Sequence, residues 1–440
     1  MKISLYHEKY RKDIIDIVRI FSNIDPEFSQ DGEISIYKDK AILDKEYSLS
    51  SGKDLKIVLY KYLSNKYGKS SPWGIMTGTK PKKLYNKVGP EGLAKDYLVD
   101  SSKIAMLESI DLIQKDIKYK KRNLSLYINI PFCPSRCTYC SFPTIVYTAN
   151  DRREEYLKAL LKEIDGMKES INRFNIRTIY IGGGTPTSFD TNQLEILMKH
   201  IHASIDLSNI EEFTFEAGRE DTIDKDKLQL LKKYRVDRIS INPQSFNEKV
   251  LEGLERNQDN ERLKDLFYLA KEIGFTINMD LILGLKNETS DSLKETLDQI
   301  NILRPHNLTI HTLSLKKGSK LVDRQESMDQ EAKWVQDLLE QAQKYCDRNG
   351  YKPYYLYRQK EILGNLENVG YTLDGYKCLY NIITNEEMES ILGIGMTSNS
   401  KIMVENKIQN YTNYKNLNLY IDNLDKSIED KKALLNQVIF

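Results

Sequence analysis

The chain has 440 residues, enough for about three domains or for one large catalytic unit with extensions. Hydrophobic residues make up 40% and charged residues 29%, the balance of a globular protein with a sizeable core. With 65 Lys and Arg against 64 Asp and Glu, the net charge of +1 argues against a general polyanion binder, and no apolar run approaches the ~20 residues of a membrane span.

The opening residues, MKISLYHEKYRKDI, lack the apolar core of a signal peptide, so a cytoplasmic protein with no nucleic-acid or membrane partner is expected. Residues 1–122 form the expected N-terminal accessory domain. Helical patterning runs near 8–22, 54–67 and 101–118, with a turn-rich stretch, SPWGIMTGTKPKK, from Ser71 to Lys83. The basic run Lys118, Lys120, Lys121 and Arg122 reads as a solvated linker. From Leu124, short β-branched runs at 125–130, 176–181, 211–216, 237–242, 276–283, 307–313 and 351–358 alternate with amphipathic stretches. This alternation predicts a parallel sheet covered by helices. Six such units suit an open, partial barrel better than a closed eightfold one, with chemistry at the carboxyl ends of the strands. The core is expected over 123–320, and 321–440 as the rest of the barrel and a substrate-covering extension. There, GNLENVGYTLDGY reads as a loop, ESILGIGMTSNS as a strand or helix end with tight glycine turns, and the last stretch as a polar helix.

Five cysteines in the whole chain exclude a disulfide scaffold, yet Cys133, Cys137 and Cys140 fall within eight residues. Soft thiolates select iron–sulfur or zinc, and C-x3-C-x2-C suits three corners of a [4Fe–4S] cube. A structural zinc would want a fourth ligand, but no His lies between His7 and His200. Three protein ligands leave one iron open to a substrate or cofactor. Cys346 and Cys378 stand alone and read as ordinary thiols.

At this point the sequence resembles a family. C-x3-C-x2-C after the first strand of a six-unit α/β barrel is the signature of radical S-adenosylmethionine (SAM) enzymes. Within them, Y-x-x-I-P-F-C resembles the oxygen-independent coproporphyrinogen III oxidase family. IGGGTPT (181–187), Glu216 at the third strand end, RISINPQSF (238–246) with Gln244, Arg256, and MDLILGL (279–285) with Asp280 follow in the family's order. The match spans about 124 to 320. SPWGIMTGTKPKK, YYLYRQK and GNLENVGY resemble the longer coproporphyrinogen dehydrogenase-like subgroup, which carries an extra N-terminal domain.

The resemblance implies an α/β fold: a radical SAM partial (β/α)6 barrel with an N-terminal α/β domain and a C-terminal extension. It implies a [4Fe–4S] cluster on Cys133, Cys137 and Cys140, and SAM, with one molecule on the cluster and a second in the oxidase type. The implied cofactor contacts are Tyr127, Tyr139, Gly183, Gly184, Thr185, Glu216, Gln244, Arg256, Asp280 and Ser314. The implied activity belongs to haem metabolism. The cluster reduces SAM, and the resulting 5′-deoxyadenosyl radical removes hydrogen from a propionate β-carbon of coproporphyrinogen III. Loss of CO2 leaves a vinyl group, and two such events give protoporphyrinogen IX. The implied partners are the tetrapyrrole and a low-potential electron donor such as flavodoxin or ferredoxin, acting on a monomer.

The residues themselves agree. Glycines 182–184 let backbone approach a ligand, or simply make a tight turn. Glu216 and Asp280 can accept from ribose hydroxyls or an ammonium, Gln244 offers a donor and an acceptor, and Arg256 can grip a carboxylate with two hydrogen bonds. Lys316, Lys317 and Arg358 are candidates for meeting propionates, as are Lys80, Lys82 and Lys83 if residues 1–122 fold as a unit over the open side of the barrel. His306 and His311 flank the sixth strand; His311 could face the barrel, but a packed histidine is the reading preferred for it. Four departures leave the substrate open: Asn129 for His, Ser141-Phe142 for Gly-Cys, Asn242-Pro243 for Gly-Val, and Lys286 for Pro. Relatives with the same core serve as haem-binding chaperones or as methyltransferases that open the haem ring.

Overall fold

The computed structural model describes residues 1–22, 25–148, 151–315, 319–321, 331–405 and 407–438. A first sheet holds β1 (Lys2–Leu5), β2 (Glu27–Phe28), β3 (Ile34–Ile36), β4 (Lys40–Ile42) and β5 (Glu46–Ser48), in the order β2-β1-β3-β4-β5. Helices α1 (Arg11–Phe21) and α2 (Gly52–Tyr67) share its apolar cluster. Ile14, Ile17, Val18 and Phe21 recur at helical spacing and bury with Leu55, Leu59 and Leu63. Ser51 caps α2 by accepting from Asp54 N, and Gly68 ends it in the left-handed conformation. Next come α3 (Pro81–Tyr97), kinked at Gly89, and α4 (Ser101–Gln114). Their Leu93, Ile104, Leu107 and Ile110 join Trp73 in the cluster that also fills the barrel.

The barrel follows as β6 (Asn123–Ile130), the short pair β7 (Phe132–Cys133) and β8 (Ile145–Val146), α5 (Arg153–Ile171), β9 (Asn175–Gly183), α6 (Thr191–Ser204), β10 (Glu212–Glu216), α7 (Lys225–Lys233), β11 (Arg238–Ser240), α8 (Glu248–Leu251), α9 (Asn260–Ile273), β12 (Thr276–Leu283), α10 (Ser290–Leu303) and β13 (Asn307–Thr312). Six of these strands, β6 and β9 to β13, lie parallel and in sequence order. Their apolar runs are buried almost throughout, as a sheet covered on both faces requires.

The remainder is α11 (Glu331–Arg348), β14 (Lys352–Tyr357), β15 (Asn368–Thr372), α12 (Leu379–Glu386), β16 (Ser390–Ile394), β17 (Asn399–Val404), β18 (Lys407–Thr412), α13 (Leu417–Asp422) and α14 (Leu424–Asn436). It extends the sheet on both sides, to β14-β15-β13-β12-β11-β10-β9-β6-β16-β17-β18, so the first and sixth barrel strands never pair and the barrel stays open. One expectation changes here, that for residues 368–372, while the strand expected in 389–400 is present. The segment 368–372, expected as a loop, is a fully buried strand wedged antiparallel between β13 and β14. Its Gly370 makes room for the Tyr355 ring, which would lie 1.8 Å from a Cβ at that position. The stretch beginning at Ser390 is a strand parallel to β6, and a β17–β18 hairpin follows it.

Residues 71–114 are bolted to this C-terminal extension. Trp73 Nε1 and Lys103 Nζ meet the two oxygens of buried Glu367 at 2.7 and 2.5 Å. Arg358 is 4% exposed and donates to the carbonyls of Met76, Gly78, Asn365 and Leu366, with its guanidinium over the Trp73 ring. Arg358 is therefore a fastener rather than a propionate contact. Lys80 and Lys83 both pair with Glu387, and buried Lys82 pairs with Asp111. None of the three is aimed at a substrate. Lys316 and Lys317 lie outside the described residues.

Candidate functional site

A cavity of about 260 Å³ opens at the carboxyl ends of the barrel strands. Cys133, Cys137 and Cys140 line one wall, with Tyr139 between them. The loop that carries them is anchored at its start by Phe132, which packs on Tyr156 and Phe189. Thr138 N donates to Leu254 O at 3.0 Å, and Ser135 Oγ to Glu255 O at 2.9 Å. Burial pushes the Cys133 thiol up to about 11 and raises Cys140 as well. Arg219 Nη1 approaches Cys137 Sγ at 3.7 Å, while the same guanidinium forks onto Asp221 and reaches Arg256 O.

The adjoining turn explains the glycines. Gly183 has φ +123°, and a Cβ there would lie 2.2 Å from Asn129 Oδ1; one at Gly184 would lie 2.8 Å from Phe132 O. The tight turn thus accounts for both glycines by itself, although both line the cavity beside Thr185. Thr185 Oγ1 is 3.3 Å from Cys133 Sγ.

Further round the rim, Glu216 Oε1 accepts from Tyr180 Oη at 2.6 Å and Oε2 from Gly183 N at 3.1 Å. Burial lifts its carboxyl to about 7 despite these bonds. Gln244 is held at φ 59° by exchange with β12, its N on Asp280 O and its O on Ile282 N, both at 3.0 Å. That left-handed conformation is uncommon for a side chain of this size. Its buried Oε1 has no hydrogen-bond partner, and neither has Arg256 Nε. Arg256 spends Nη2 on the carbonyls of Gly218 and Asn242 and Nη1 on Tyr139 Oη. Two N–H groups remain, one on Nε and one on Nη1; they do not share an edge of the guanidinium, so the expected two-bond grip on a ligand carboxylate is lost. Asp280 accepts from Asn278 Nδ2 at 2.7 Å and faces His311 Nε2 at 3.8 Å. Ser314 lines the cavity and donates to Lys360 O.

Tyr127 is the one expected contact that does not line the cavity. Its ring stacks with Tyr180 and Tyr380, and its hydroxyl donates to Asn129 Oδ1. Asn129 turns away too, donating from Nδ2 to Met396 O. Cys378 donates to Glu212, Cys346 is buried in the core, and His306 Nδ1 accepts from Ile277 N, so these three are packing groups. His311, expected to be packed, lines the cavity instead, and so do Arg219, Asn242, Tyr357 and Asn368, which sequence reasoning did not select. Arg219 could have been found, because it stands three residues beyond Glu216 at a strand end.

Among the described residues, no group of three or more His, Cys, Asp or Glu is drawn closely enough to hold a single metal ion. A cube of four irons holds its thiolates farther apart than one ion does, because each binds a different iron.

Residues 127–300 match the Radical SAM superfamily. The chain is 37% identical over 392 residues to the oxygen-independent coproporphyrinogen-III oxidase-like protein HemZ of Bacillus subtilis, spanning 84% of this chain and 78% of that one. It is 29% identical over 265 residues to the heme chaperone HemW of Haemophilus influenzae, spanning 59% and 65%. The structure of the radical SAM enzyme coproporphyrinogen III oxidase (HemN) from Escherichia coli aligns with a TM-score of 0.58 at 25% identity, over 72% of each chain. Similarity along most of the chain, with the cysteine loop seated at the strand ends of a matching barrel, makes this protein a member of the oxygen-independent coproporphyrinogen III oxidase-like family of radical SAM proteins.

Proposed function

We propose that the protein holds a [4Fe–4S] cluster on Cys133, Cys137 and Cys140 with SAM beside it, and carries out the oxygen-independent oxidative decarboxylation of coproporphyrinogen III to protoporphyrinogen IX. The carrying observation is one cavity with three thiols on one wall and buried, partnerless polar atoms, Gln244 Oε1 and Arg256 Nε, elsewhere in its lining. A buried polar atom without a partner costs free energy, so such atoms mark where a polar ligand belongs. When bound, cluster and SAM supply an organic radical able to remove hydrogen from an unactivated carbon.

The chain's part is to bind, orient and exclude water. The raised thiols of Cys133 and Cys140 exchange their protons for metal, and Arg219 offsets the charge gathered at Cys137. Glu216 is placed to accept from the ammonium end of SAM, which would draw its carboxyl back to the ionised form. Asp280 suits a ribose hydroxyl, Gln244 Oε1 a donor on the ligand, and Arg256 Nε a single acceptor. Tyr127 acts through Tyr180, whose hydroxyl orients Glu216. An external low-potential donor such as flavodoxin or ferredoxin would supply the electron that SAM cleavage uses, and an external one-electron acceptor would take the electron released with each CO2.

Anaerobic incubation with coproporphyrinogen III, SAM and a reductant tests this reading. A product lighter by two CO2 and four hydrogens, together with 5′-deoxyadenosine, is expected; methylated or ring-opened tetrapyrrole would overturn it. The similarity to heme chaperone HemW favours a second reading, haem binding on the same core. Stoichiometric bound haem without turnover is its expected result.

A further inference from the structure

Across the cavity from the cysteine loop, three strands end in side chains that face one another. Asp280 of β12 lies 3.8 Å from His311 Nε2 of β13, and His311 Nδ1 lies 3.2 Å from the hydroxyl of Tyr357, the last residue of β14. Gln359 Nε2 donates to the same hydroxyl at 3.4 Å, and all four residues line the cavity. β14 runs in the same direction as β13, because each is antiparallel to β15 between them. That direction brings Tyr357 to the reactive end of the barrel.

Charge sets the order of the bonds. Burial pushes the Asp280 carboxyl up, but His311, Asn278 and Thr309 outweigh it and hold the group below its ordinary value. An anion facing Nε2 keeps a proton on that nitrogen, so in the neutral imidazole Nδ1 accepts from Tyr357. In the imidazolium both nitrogens carry protons. Nδ1 then donates to the Tyr357 oxygen, and the phenolic hydrogen is free to point into the cavity. Among the described residues, Arg219 is engaged on Asp221, Arg256 on the Gly218 and Asn242 carbonyls, and Arg358 among the carbonyls of its own joint, while Arg136 lines the cavity within the cysteine loop.

We infer that His311 and Tyr357 form a carboxylate-binding wall that receives a propionate arm of the tetrapyrrole, an inference that rests on the tetrapyrrole reading above. Tyr357 is the contacting group and His311 the positioning residue, its protonated form anchored by Asp280. With an imidazolium, the Asp280–His311 pair is neutral; with a neutral imidazole it is a net anion that repels a carboxylate. The other titratable groups facing this wall are Glu216, which interacts with Asp280, and Tyr355, whose ring stacks on Tyr357 at 6.2 Å. Burial lifts the Glu216 carboxyl to about 7, so the wall is identified by carboxyl dependence rather than by pH.

The test uses the full chain, purified anaerobically with its cluster, and two probes: coproporphyrin III and its tetramethyl ester, followed by fluorescence quenching at pH 6.5. Wild type is expected to prefer the free acid by ~10-fold or more. His311→Phe and Tyr357→Phe should each abolish most of that preference while binding the ester as wild type does, which also shows that the variants are folded. Variants that keep the preference, or that lose both probes equally, overturn the wall while leaving the tetrapyrrole reading intact. A wild-type protein that binds neither probe overturns the tetrapyrrole reading, and the wall with it.

Discussion

Burial raises the Cys133 and Cys140 thiols, which hold their protons until a metal displaces them, and a cube tied to the protein at only three corners has no ligand to spare, so each of the three cysteines should be indispensable. The anaerobically purified chain is expected to carry about four iron and four sulfide, and Cys137→Ala to lose them, as iron and sulfide analysis would show. Arg256 is the residue proposed to meet SAM. Arg256→Ala should leave the cluster absorbance in place and weaken SAM binding roughly 10- to 150-fold, the worth of one charge-assisted hydrogen bond. Arg256→Lys should not restore it, because a single ammonium cannot span Gly218 O, Asn242 O and Tyr139 while offering a further N–H to the ligand. Equilibrium dialysis with labelled SAM decides both points. At this scale the sequence was legible wherever a residue type and a strand end coincided, as at Cys133, Glu216 and Asp280. It was undecided where a side chain's direction depends on its neighbours: the run HNLTIHT (306–312) allowed His311 to face the barrel but did not choose that over packing.

Between elements, two buried groups carry measurable consequences. Glu367 is fully buried against Trp73 and Lys103. Lys103→Met leaves that carboxylate short of its cation and is expected to cost ~3–5 kcal/mol in urea unfolding. Glu288 caps the turn after β12 by accepting from Gly284 N and Leu285 N, and burial lifts its carboxyl to about 8 against an ordinary 4.5. A folded-state value above the unfolded one means that the folded chain keeps a proton the unfolded chain releases. Its contribution is whole below 4.5 and is lost as pH rises through 8. Thermal unfolding of wild type relative to Glu288→Gln should therefore fall by a few degrees between pH 5 and pH 8.5; a difference that is flat across this range would contradict the assignment. The parallel strands were legible because covered strands are written in continuous β-branched residues. β15 was not, since NVGYT carries a glycine that only the Tyr355 ring explains.

For the molecule as a whole, the apolar clusters divide the chain. Residues 3–63 supply most of one cluster, whereas Trp73, Leu93, Ile104, Leu107 and Ile110 belong to that of the barrel. We expect a chain beginning at Lys69 to fold and load iron, and a chain beginning at Asn123 to be insoluble, because it strips seven apolar side chains and two of the partners of Glu367, Trp73 and Lys103, from the interior. Size-exclusion chromatography with iron analysis separates the two. The open (β/α)6 architecture could be anticipated from the alternation of runs, but how residues 71–114 are fastened to 352–372 could not. That joint is made of side-chain to carbonyl bonds between segments far apart in sequence, which leave no local pattern.

The parallel pairing of β16 with β6 also sets a clock. Ile128 and Ile394 are register partners separated by about 270 residues of chain. At a ribosomal rate of ~5–20 residues per second, the free edge of β6 waits roughly 15 to 50 s after its own synthesis before its second neighbour exists. Throughout that interval the cysteine loop, which follows β6 directly, hangs from a strand paired on one side only. A nascent chain stalled between β13 and β16 is thus the species most exposed to edge-to-edge aggregation, and the one whose thiols remain most accessible to whatever delivers iron.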